Sequence, residues 1–355
     1  MTLDLSLINQ IESLRIPLDN PESPLDWKDW YHYILIHPET GMRILVNITL
    51  MGRPQRGEIQ VSLIINSPNA LLPPSLQTKD LIATFATTVA IPWKANDVCS
   101  QPLEIQAKGV HLQIQGEQSK IQVQDKRSQL SIEFQTQVKA TPLLVTEDAK
   151  FGSGFIGWGL IPGLEVLGKF NICETQFNLN SDWLCYHDRN FGRFRWGEDI
   201  GWEWFVIFAQ TETKIPLTLI LDWRTNKTHT QGGLPYIFIY QNHQLSKIFL
   251  GETLRLNWQW STVPYQPLRL PGVMASLFSD RVLKMPQSLK IEAEDEQDHL
   301  FLNLNFDATL ELIVPDNQSR QYTFIEELSG PVETRLKINE TQLIGQGFVY
   351  AEYVQ

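Results

Sequence analysis

Residues 182–208 read DWLCYHDRNFGRFRWGEDIGWEWFVIF, and the rest of the chain is best understood from this stretch. Apolar and polar residues alternate on both sides of a charged middle, which predicts two β-strands that meet at a turn around Asn190, Phe191 and Gly192. Residues two apart in a strand point to the same face, so Tyr186 and Asp188 are expected side by side. The stretch also supplies four large aromatic residues, namely Trp183, Trp196, Trp202 and Trp204.

These residue types together predict an acid in a tryptophan-lined pocket, but a structural interpretation competes with it. Large aromatic side chains are mostly packing residues, so the four tryptophans are also consistent with a core closed by a polar hairpin. Asp188 then forms an ion pair in the turn, with Arg189, Arg193 or Arg195 as its partner. In strand alternation His187 points away from the face of Tyr186 and Asp188.

Strand-like alternation continues through most of the chain. Residues 42–50, 59–65, 110–114 and 130–138 alternate apolar with polar side chains, and similar segments recur from residue 169 to residue 354. Such half-buried alternation with short turns is typical of antiparallel sheets with one face on a core and one in water. Many regularly spaced strands with almost no helix predict β-sandwiches or β-barrels.

Three segments depart from this rhythm. Residues 4–16 carry apolar residues at helix spacing behind a cap at Asp4 or Ser6, which predicts a helix that ends before Pro17. The proline-spaced residues 17–29 predict an extended arm. Residues 264–286 form a long apolar excursion that we expect to contain one helical turn and to cover a pocket.

Composition limits the classes of function. A chain of 355 residues is long enough for two domains, and its formal net charge of −11 excludes a nucleic-acid surface, because no basic cluster is present to neutralise phosphates. Three cysteines without a CxxC spacing indicate neither a disulfide framework nor a zinc site. The N-terminal residues resemble no signal peptide, and no run of eighteen apolar residues occurs. We expect a cytoplasmic protein with at most peripheral membrane contact; its oligomeric state does not follow from the sequence.

A literal GxGxxG motif occurs at Gly152, Gly154 and Gly157. A dinucleotide-binding fingerprint needs a hydrophobic strand before it and a helix after it. Here charged residues precede the motif, Pro162 follows closely, and no βαβ alternation appears, so we reject a Rossmann domain. The glycines are expected to let the backbone pass close beside Trp158.

Two further catalytic constellations are weak. Glu198 and Asp199 with Glu203 are reminiscent of the paired carboxylates of a glycosidase, but two carboxylates on a turn usually face solvent. Cys185 has no clear base partner except His187, which alternation places on the other face, so a thiol nucleophile is not favoured.

The segment Tyr186-His187-Asp188-Arg189-Asn190-Phe191-Gly192, followed by Trp202 and Trp204, resembles the carotenoid 1,2-hydratase and AttH-like superfamily of two-domain lipocalin-like proteins. Plant tocopherol cyclase and the lipocalin-like fungal Diels–Alderases are related to this superfamily. Trp30-Tyr31 before a long strand and the segment GQGFVYAEYV at 345–354 are similar to its opening and closing strands. The chain departs from the pattern at Phe191, where tryptophan is usual, and at Arg189, where histidine is common.

The resemblance implies an all-β fold of two consecutive antiparallel lipocalin-like (calycin) barrels. The first is expected to span residues 1–195, with the N-terminal helix and arm, and the second residues 196–355. Members with known chemistry act on hydrophobic polyene or prenyl-chain substrates without a redox cofactor. The resemblance therefore implies a hydrophobic small molecule as partner, no cofactor and no metal.

Hydration or cyclisation of an isolated double bond needs a proton donor, a dry cavity and stabilisation of positive charge. Desolvation among indole rings favours the protonated form of an aspartate, so we assign Asp188 as general acid, with Tyr186 and His187 tuning it. The predicted pocket wall, which stabilises a carbocation through its aromatic faces, consists of Trp158, Trp183, Asn190, Trp196, Trp202 and Trp204. For Asn190, capping of its own turn is the alternative.

Three other functions stay open at this point. A folded linear substrate can undergo pericyclic ring closure without any acid, by shape alone. A barrel with an apolar interior can carry a lipid or pigment without transforming it. A scaffold protein would use all of its tryptophans as core residues.

Overall fold

The computed structural model of the chain describes residues 3–18, 20, 24–316 and 319–355. Within these residues the fold consists of two antiparallel curled sheets and two short helices, α1 (Leu5–Glu12) and α2 (Gly272–Leu277). This architecture confirms the predicted all-β class, with two lipocalin-like barrels and a short N-terminal helix. Among the described residues, no helix has the length and apolar character needed to cross a bilayer.

Helix α1 is shorter than the predicted segment 4–16. The Asp4 side chain caps it by accepting a hydrogen bond from the Leu7 amide at 3.1 Å, and Ile8 and Ile11 are buried. The helix ends at Glu12 because Ser13 already has an extended backbone, so the apolar spacing overestimated its length. Of the predicted arm, residues 19 and 21–23 lie outside the described residues, and strand begins at residue 27 rather than 30.

Thirteen strands form the first sheet. They are β1 (Trp27–Ile36), β2 (Arg43–Met51), β3 (Glu58–Pro68), β4 (Ile82–Pro92), β5 (Val98–Ser100), β6 (Leu103–Ala107), β7 (Val110–Gln115), β8 (Gln118–Asp125), β9 (Leu130–Val138), β10 (Leu143–Phe151), β11 (Gly154–Ile172), β12 (Thr175–Leu179) and β13 (Leu184–Arg193). Their order is β4-β3-β2-β1-β13-β11-β9-β8-β7-β6-β5, with β10 and β12 also paired to β11. Strand β13 therefore lies between β1 and β11.

The inward face of the first sheet is identified by the alternation in β8 and β9. Ile121 and Phe134 are buried there, whereas Gln122 and Glu133 between the buried positions are exposed. Tyr33 of β1 packs its ring edge-on against Phe134, with centroids 5.6 Å apart. Tyr33 and the residues that share its face in β1 therefore point inward.

Eleven strands form the second sheet. They are β14 (Gly201–Thr211), β15 (Pro216–Thr225), β16 (Tyr236–Gln241), β17 (Gln244–Leu250), β18 (Leu254–Tyr265), β19 (Leu268–Leu270), β20 (Leu283–Asp295), β21 (Asp298–Asn305), β22 (Ala308–Pro315), β23 (Tyr322–Ile338) and β24 (Thr341–Val354). Nine of them follow the order β17-β16-β15-β14-β24-β23-β21-β20-β18, while β22 pairs with β23 and, in parallel, with β19. As predicted, the excursion 264–286 contains one short helix, α2.

The second sheet encloses its own hydrophobic core. Phe205, Ile207 and Ala209 of β14 join leucine, isoleucine, valine, alanine and phenylalanine side chains of eight other strands in one buried cluster. Trp258 of β18 packs against this cluster, and its ring lies 5.5 Å from Trp260, 5.9 Å from Phe205 and 5.3 Å from Tyr353. Each sheet is thus supported by burial of one of its faces.

The chain forms two compact units. The first comprises Met1–His37, Ile44–Asn66 and Thr84–Arg195, and the second comprises Pro38–Arg43, Ser67–Ala83 and Trp196–Gln355. Strands β13 and β14 belong to different sheets and do not pair with each other. The predicted hairpin across residues 182–208 is therefore wrong, because alternation on both sides of a charged segment does not say which partner each strand takes.

Candidate active site

The candidate site is centred on Asp188, in the middle of β13. Asp188 lies opposite His32 of β1 and Leu160 of β11 in the antiparallel register. Tyr186 and Asn190, two positions before and after Asp188, project to the same face. The strand runs without interruption from Leu184 to Arg193, so the turn predicted at Asn190 does not exist.

Asp188 is almost completely buried, at 1% exposure, and neighbouring side chains donate hydrogen bonds to its carboxyl group. Trp158 Nε1 and Tyr186 Oη donate to Oδ2 at 3.0 and 2.8 Å, and Asn190 Nδ2 donates to Oδ1 at 3.2 Å. The indole N–H can only donate, so Oδ2 acts as an acceptor. A proton can be added at Oδ1 without breaking either bond at Oδ2.

Two glycines of β11 determine how Trp158 is presented. A Cβ on Gly157 would lie 2.1 Å from the Phe191 ring, and a Cβ on Gly159 would lie 2.9 Å from Ile11 of α1. Trp158 stands between them in the strand, so its side chain takes the opposite face, toward Asp188. Gly157 and Gly159 therefore make room for Phe191 and α1. Gly154 is the first residue of β11, which forms a β-hairpin with β10, so a strand and not a helix follows it. The rejection of a dinucleotide fingerprint is confirmed.

His187 does not contact Asp188. It lies on the inward face, where its Nδ1 is 3.0 Å from the His32 carbonyl and its Nε2 is 3.0 Å from Glu12 Oε1. Its ring stacks on Tyr33 with centroids 4.0 Å apart. Both ring nitrogens of His187 therefore lie beside oxygen atoms of α1 and β1, away from Asp188. The assignment of His187 as a direct partner of the acid is therefore wrong, for the reason that alternation had indicated.

Arg189 completes this inward network. Its guanidinium contacts Glu12 at 3.3 Å, bonds to Asp29 and lies 3.8 Å from the centre of the Tyr31 ring, while Nε donates to the Trp30 carbonyl. Burial disfavours the charged form of Glu12, but the charges of His187 and Arg189 outweigh it and lower its pKa. Arg189 thus fixes α1 to β1 and β13 and is not the ion-pair partner proposed for Asp188. Arg193 pairs with Asp26 instead, at 3.1 Å.

His32 is the titratable residue next to Asp188 that the sequence did not reveal. It lies directly opposite Asp188 in the register and is 5% exposed. Burial, with the nearby charge of His187, lowers its pKa to about 3, so the imidazole is neutral near pH 7. The sequence shows His32 as a polar residue in the YHY segment of β1. It does not show that this strand pairs with a strand about 150 residues later.

The predicted pocket tryptophans are divided between the two compact units. Trp183 packs edge-on against His37 and Phe170, with centroids 5.3 and 5.9 Å apart, at the other end of β13. The remaining three lie in the second unit, and they are Trp196, Trp202 and Trp204. There the Trp196 and Trp202 rings are 6.3 Å apart, and Trp202 donates to Glu352 at 2.7 Å. Of the six predicted wall residues, Trp158 and Asn190 contact Asp188 directly.

The weaker constellations are not assembled as catalytic sites. Burial raises the pKa of the Cys185 thiol far above neutrality, which leaves it unreactive. Glu203 points into the second core, where it binds Trp258 Nε1 at 3.0 Å and His229 Nδ1 at 3.1 Å, while Asp199 accepts the Lys227 amide. Among the described residues, no three His, Cys, Asp or Glu side chains are grouped as metal ligands.

Solved structures with the same fold exist. Kievitone hydratase from Nectria haematococca superposes with a TM-score of 0.56 at 11% identity, covering 95% of this chain and 94% of that one. A protein of Nitrosomonas europaea assigned as AttH gives 0.60 at 10% identity, covering 95% and 98%. CghA gives 0.59 at 9% identity, covering 96% and 93%. No protein-family model matches the sequence, and no curated protein is significantly similar to it.

These similarities define the class of fold. The chain shares the fold of these three proteins over nearly its whole length. The resemblance inferred from residues 186–192 and the tryptophans after them is thus confirmed for the fold.

Proposed function

We propose that the chain is an enzyme of the hydratase or cyclase kind that acts on a carbon–carbon double bond of a hydrophobic polyene or terpenoid. Asp188 is the proposed proton donor. The observation that carries this proposal is the environment of Asp188, a carboxyl group that is 1% exposed and held by Trp158, Tyr186 and Asn190. A buried acid in a fixed orientation beside an indole is what proton-initiated alkene chemistry requires.

The proposed reaction starts with transfer of a proton from Asp188 Oδ1 to an alkene carbon. The π electrons form the new C–H bond and leave a carbocation, which water or a second double bond of the substrate then attacks. Loss of a proton from the adduct returns the acid to its starting state, so no electrons are exchanged and no redox cofactor is required. Trp158 stabilises the cation by about 2 kcal/mol when its ring face is desolvated.

Tyr186, Asn190 and His32 have supporting roles in this proposal. Tyr186 and Asn190 hold the two carboxyl oxygens, so the proton can leave from one defined position. Neutral His32 adds no positive charge beside the acid. His187 has no direct role, because it holds α1 on the opposite face.

The solved structures support both branches of the chemistry. Kievitone hydratase is named as a hydratase, and CghA is a Diels–Alderase. Hydration would make this chain a lyase, and cyclisation would make it an isomerase. Because both proteins are about 10% identical to the chain, they leave the substrate open.

One observation favours a second candidate function, ring closure without an acid. Oδ2 of Asp188 already accepts two hydrogen bonds, an arrangement that also suits a permanently ionised structural carboxylate. An enzyme of this kind folds a linear substrate for pericyclic closure, and Asp188 then shapes the wall rather than donating a proton.

The test begins with the lipids that the protein retains. Protein purified from its own host is stripped with organic solvent, and the extract is analysed by mass spectrometry before and after incubation with fresh protein. Asp188→Asn is expected to reduce hydration or cyclisation at least ~100-fold, because general acids contribute this much, while leaving the unfolding midpoint nearly unchanged. Asp182→Asn, an exposed carboxyl just before the same strand, is the matched control.

The three outcomes separate the functions. Loss of conversion in Asp188→Asn with retained conversion in Asp182→Asn supports the acid. Ring closure that survives in Asp188→Asn supports the pericyclic function and removes Asp188 from the mechanism. A ligand returned unchanged by every variant shows a lipid carrier.

A further inference from the structure

Helix α1 lies on the inward face of the first sheet. Ile8 and Ile11 are fully buried on one side of the helix, whereas Asn9 and Gln10 on the other side are exposed. A helix of eight residues is marginal in water when it is isolated, so α1 keeps its shape through its contacts with the sheet. The helix therefore behaves as a short segment that is bound to the sheet by one face.

The sheet leaves space for this helix. On β11, Gly157 and Gly159 take the inward positions opposite Phe191 and Arg189 of β13. A Cβ on Gly159 would lie 2.9 Å from the side chain of Ile11, so any larger residue would occupy the volume that Ile11 takes. Departure of α1 would uncover this part of the inward face, because glycine has no side chain to fill it.

The last residue of α1 brings a carboxylate into the interior of the first unit. Glu12 is 7% exposed, its Oε1 lies 3.0 Å from His187 Nε2, and its Oε2 accepts a hydrogen bond from Arg189 Nη1 at 3.3 Å. Burial raises the pKa of this carboxyl group, but His187 and Arg189 lower it by more, so Glu12 is ionised at neutral pH. Each carboxylate oxygen thus meets a different side chain of β13.

The two side chains that bind this carboxylate are held in place by β1. The Arg189 guanidinium bonds to Asp29, and Arg189 Nε donates to the Trp30 carbonyl at 2.9 Å. The His187 ring stacks on the Tyr33 ring with centroids 4.0 Å apart. None of these four contacts involves α1, so Arg189 and His187 are expected to keep their positions when the helix leaves. They form a preorganised binding site for a carboxylate.

The chemistry of the site defines the class of molecule that could replace the helix. A guanidinium group binds a carboxylate through strong, charge-assisted hydrogen bonds of defined geometry. The space that Ile8 and Ile11 take is apolar. A molecule that occupies both places needs a carboxylate head and a hydrocarbon body, as in a fatty acid or a polyene carboxylic acid.

We propose that α1 is an internal ligand of the first barrel, and that a carboxylated hydrophobic molecule displaces it and binds to Arg189 and His187. The exchange breaks the contacts of Glu12 and forms the same contacts with the carboxylate of the ligand, so no covalent bond changes. Asp188 projects to the opposite face of β13, which places this site apart from the candidate active site. Binding is therefore expected whether or not the protein converts a polyene.

The binding test uses parinaric acid, a conjugated polyene fatty acid whose fluorescence rises in apolar surroundings. Its methyl ester is the matched probe without the charge. Both probes are titrated into wild type, Glu12→Gln and Glu147→Gln. Glu147 is the control because its carboxylate also contacts α1, through Gln10 Nε2 at 3.3 Å, but the contact is exposed to solvent.

The acid is expected to bind at least about ten-fold more tightly than the ester, because only the acid forms a charge-assisted hydrogen bond with Arg189. Glu12→Gln should strengthen binding of the acid by roughly ten-fold or more, since the competing helix is held less firmly. Glu147→Gln should stay within about two-fold of wild type, because exposed polar contacts contribute little.

Three results would overturn the proposal. Equal affinities for the acid and the ester would show that no carboxylate is recognised. Equal affinities of wild type and Glu12→Gln for the acid would show that α1 does not compete with it. A gain in Glu147→Gln as large as that in Glu12→Gln would show that binding responds to any lost charge near the helix.

Amide hydrogen exchange of wild type tests the displacement without any variant, so the proposal stays testable if Glu12→Gln fails to fold. Saturating parinaric acid should speed exchange in residues 5–12 and leave β13 protected, because a displaced helix of this length does not persist alone. Exchange in residues 5–12 that is unchanged or slower would mean that the acid leaves α1 in place, and the proposal would then be wrong.

Discussion

At the scale of single residues, the contact between Gly157 and Phe191 is the tightest constraint around the candidate site. Phe191 is 2% exposed, and the Arg15 guanidinium lies 4.4 Å from the centre of its ring, so the ring has little freedom to move. A Cβ on Gly157 would lie 2.1 Å from that ring. Position 157 therefore tolerates only glycine while Phe191 keeps its place.

Gly157→Ala is predicted to lower the free energy of unfolding by about 1–3 kcal/mol, the usual cost of overpacking. Urea denaturation measures this change. In the double variant Gly157→Ala/Phe191→Leu, the smaller and more flexible leucine should relieve part of the clash. The loss of unfolding free energy in the double variant should therefore be smaller than the sum of the losses in the two single variants. If the free-energy changes of the two single variants simply add in the double variant, the Phe191 ring is not what the new methyl group clashes with.

At the scale of elements, Glu12 makes the buried polar contacts between α1 and β13. Glu12 contacts both His187 and Arg189 on the inward face of the first sheet. Glu12→Gln is predicted to destabilise the protein by about 3 kcal/mol, because it removes one of the two carboxylates that balance the buried Arg189 guanidinium. Amide hydrogen exchange should show earlier exchange in residues 5–12 than in β13.

Asn9→Ala is the control for helix α1, since Asn9 is exposed on the same helix. It should leave both stability and exchange nearly unchanged. Equal effects of Asn9→Ala and Glu12→Gln would mean that the apolar contacts of Ile8 and Ile11 hold the helix and that the ionic contacts contribute nothing.

The sequence predicted elements better than it predicted their partners. Local spacing in the sequence was enough to predict the helix cap at Asp4 and the period of the strands. It was also enough to predict that Tyr186 and Asp188 share a face. The pairing of β13 with β1 depends on contacts between residues more than 140 positions apart, which no local pattern encodes. This is why His32 was missed and why the tryptophans of residues 182–208 were expected in one pocket.

The candidate chemistry was predictable to the same limited extent. Asp188 stood out because an acid among aromatic residues is unusual. The register that sets Glu327 opposite Glu352 could not be predicted in the same way, since two glutamates 25 positions apart in ordinary strands give no sign that they will face each other. Alternation does place each on one face of its strand, but the burial of that face comes from tertiary structure.

At the scale of the whole molecule, the buried carboxyls set the dependence of stability on pH. A glutamate whose pKa is raised in the folded state contributes stability that is complete below its unfolded pKa and is lost as the pH rises through the folded pKa. For Glu352 this interval runs from 4.5 to about 7, and for Glu326 from 4.5 to about 8. His32 has the opposite effect. Its pKa is lowered from 6.5 to about 3, so its contribution to the free energy of unfolding is lost as the pH falls through this interval.

Two glutamates with raised pKa values oppose one histidine with a lowered pKa. The protein is therefore predicted to be less stable at about pH 8 than at about pH 5. Glu352 accounts for at most about 3 kcal/mol of this difference, and solvent reduces that amount because the side chain is half-buried. Thermal unfolding across this range measures the slope. Glu352→Gln should flatten it, and a slope equal to that of wild type would contradict the raised pKa.

The indole pair at the second core has a spectroscopic consequence. Trp258 and Trp260 lie 5.5 Å apart with their planes inclined at 33°, next to Phe205 and Tyr353. Two chromophores at this distance and angle couple their electronic transitions, which produces a paired positive and negative signal in circular dichroism. The chain thus contains an intrinsic, label-free optical reporter of the second sheet, and its amplitude follows the melting of that sheet in particular.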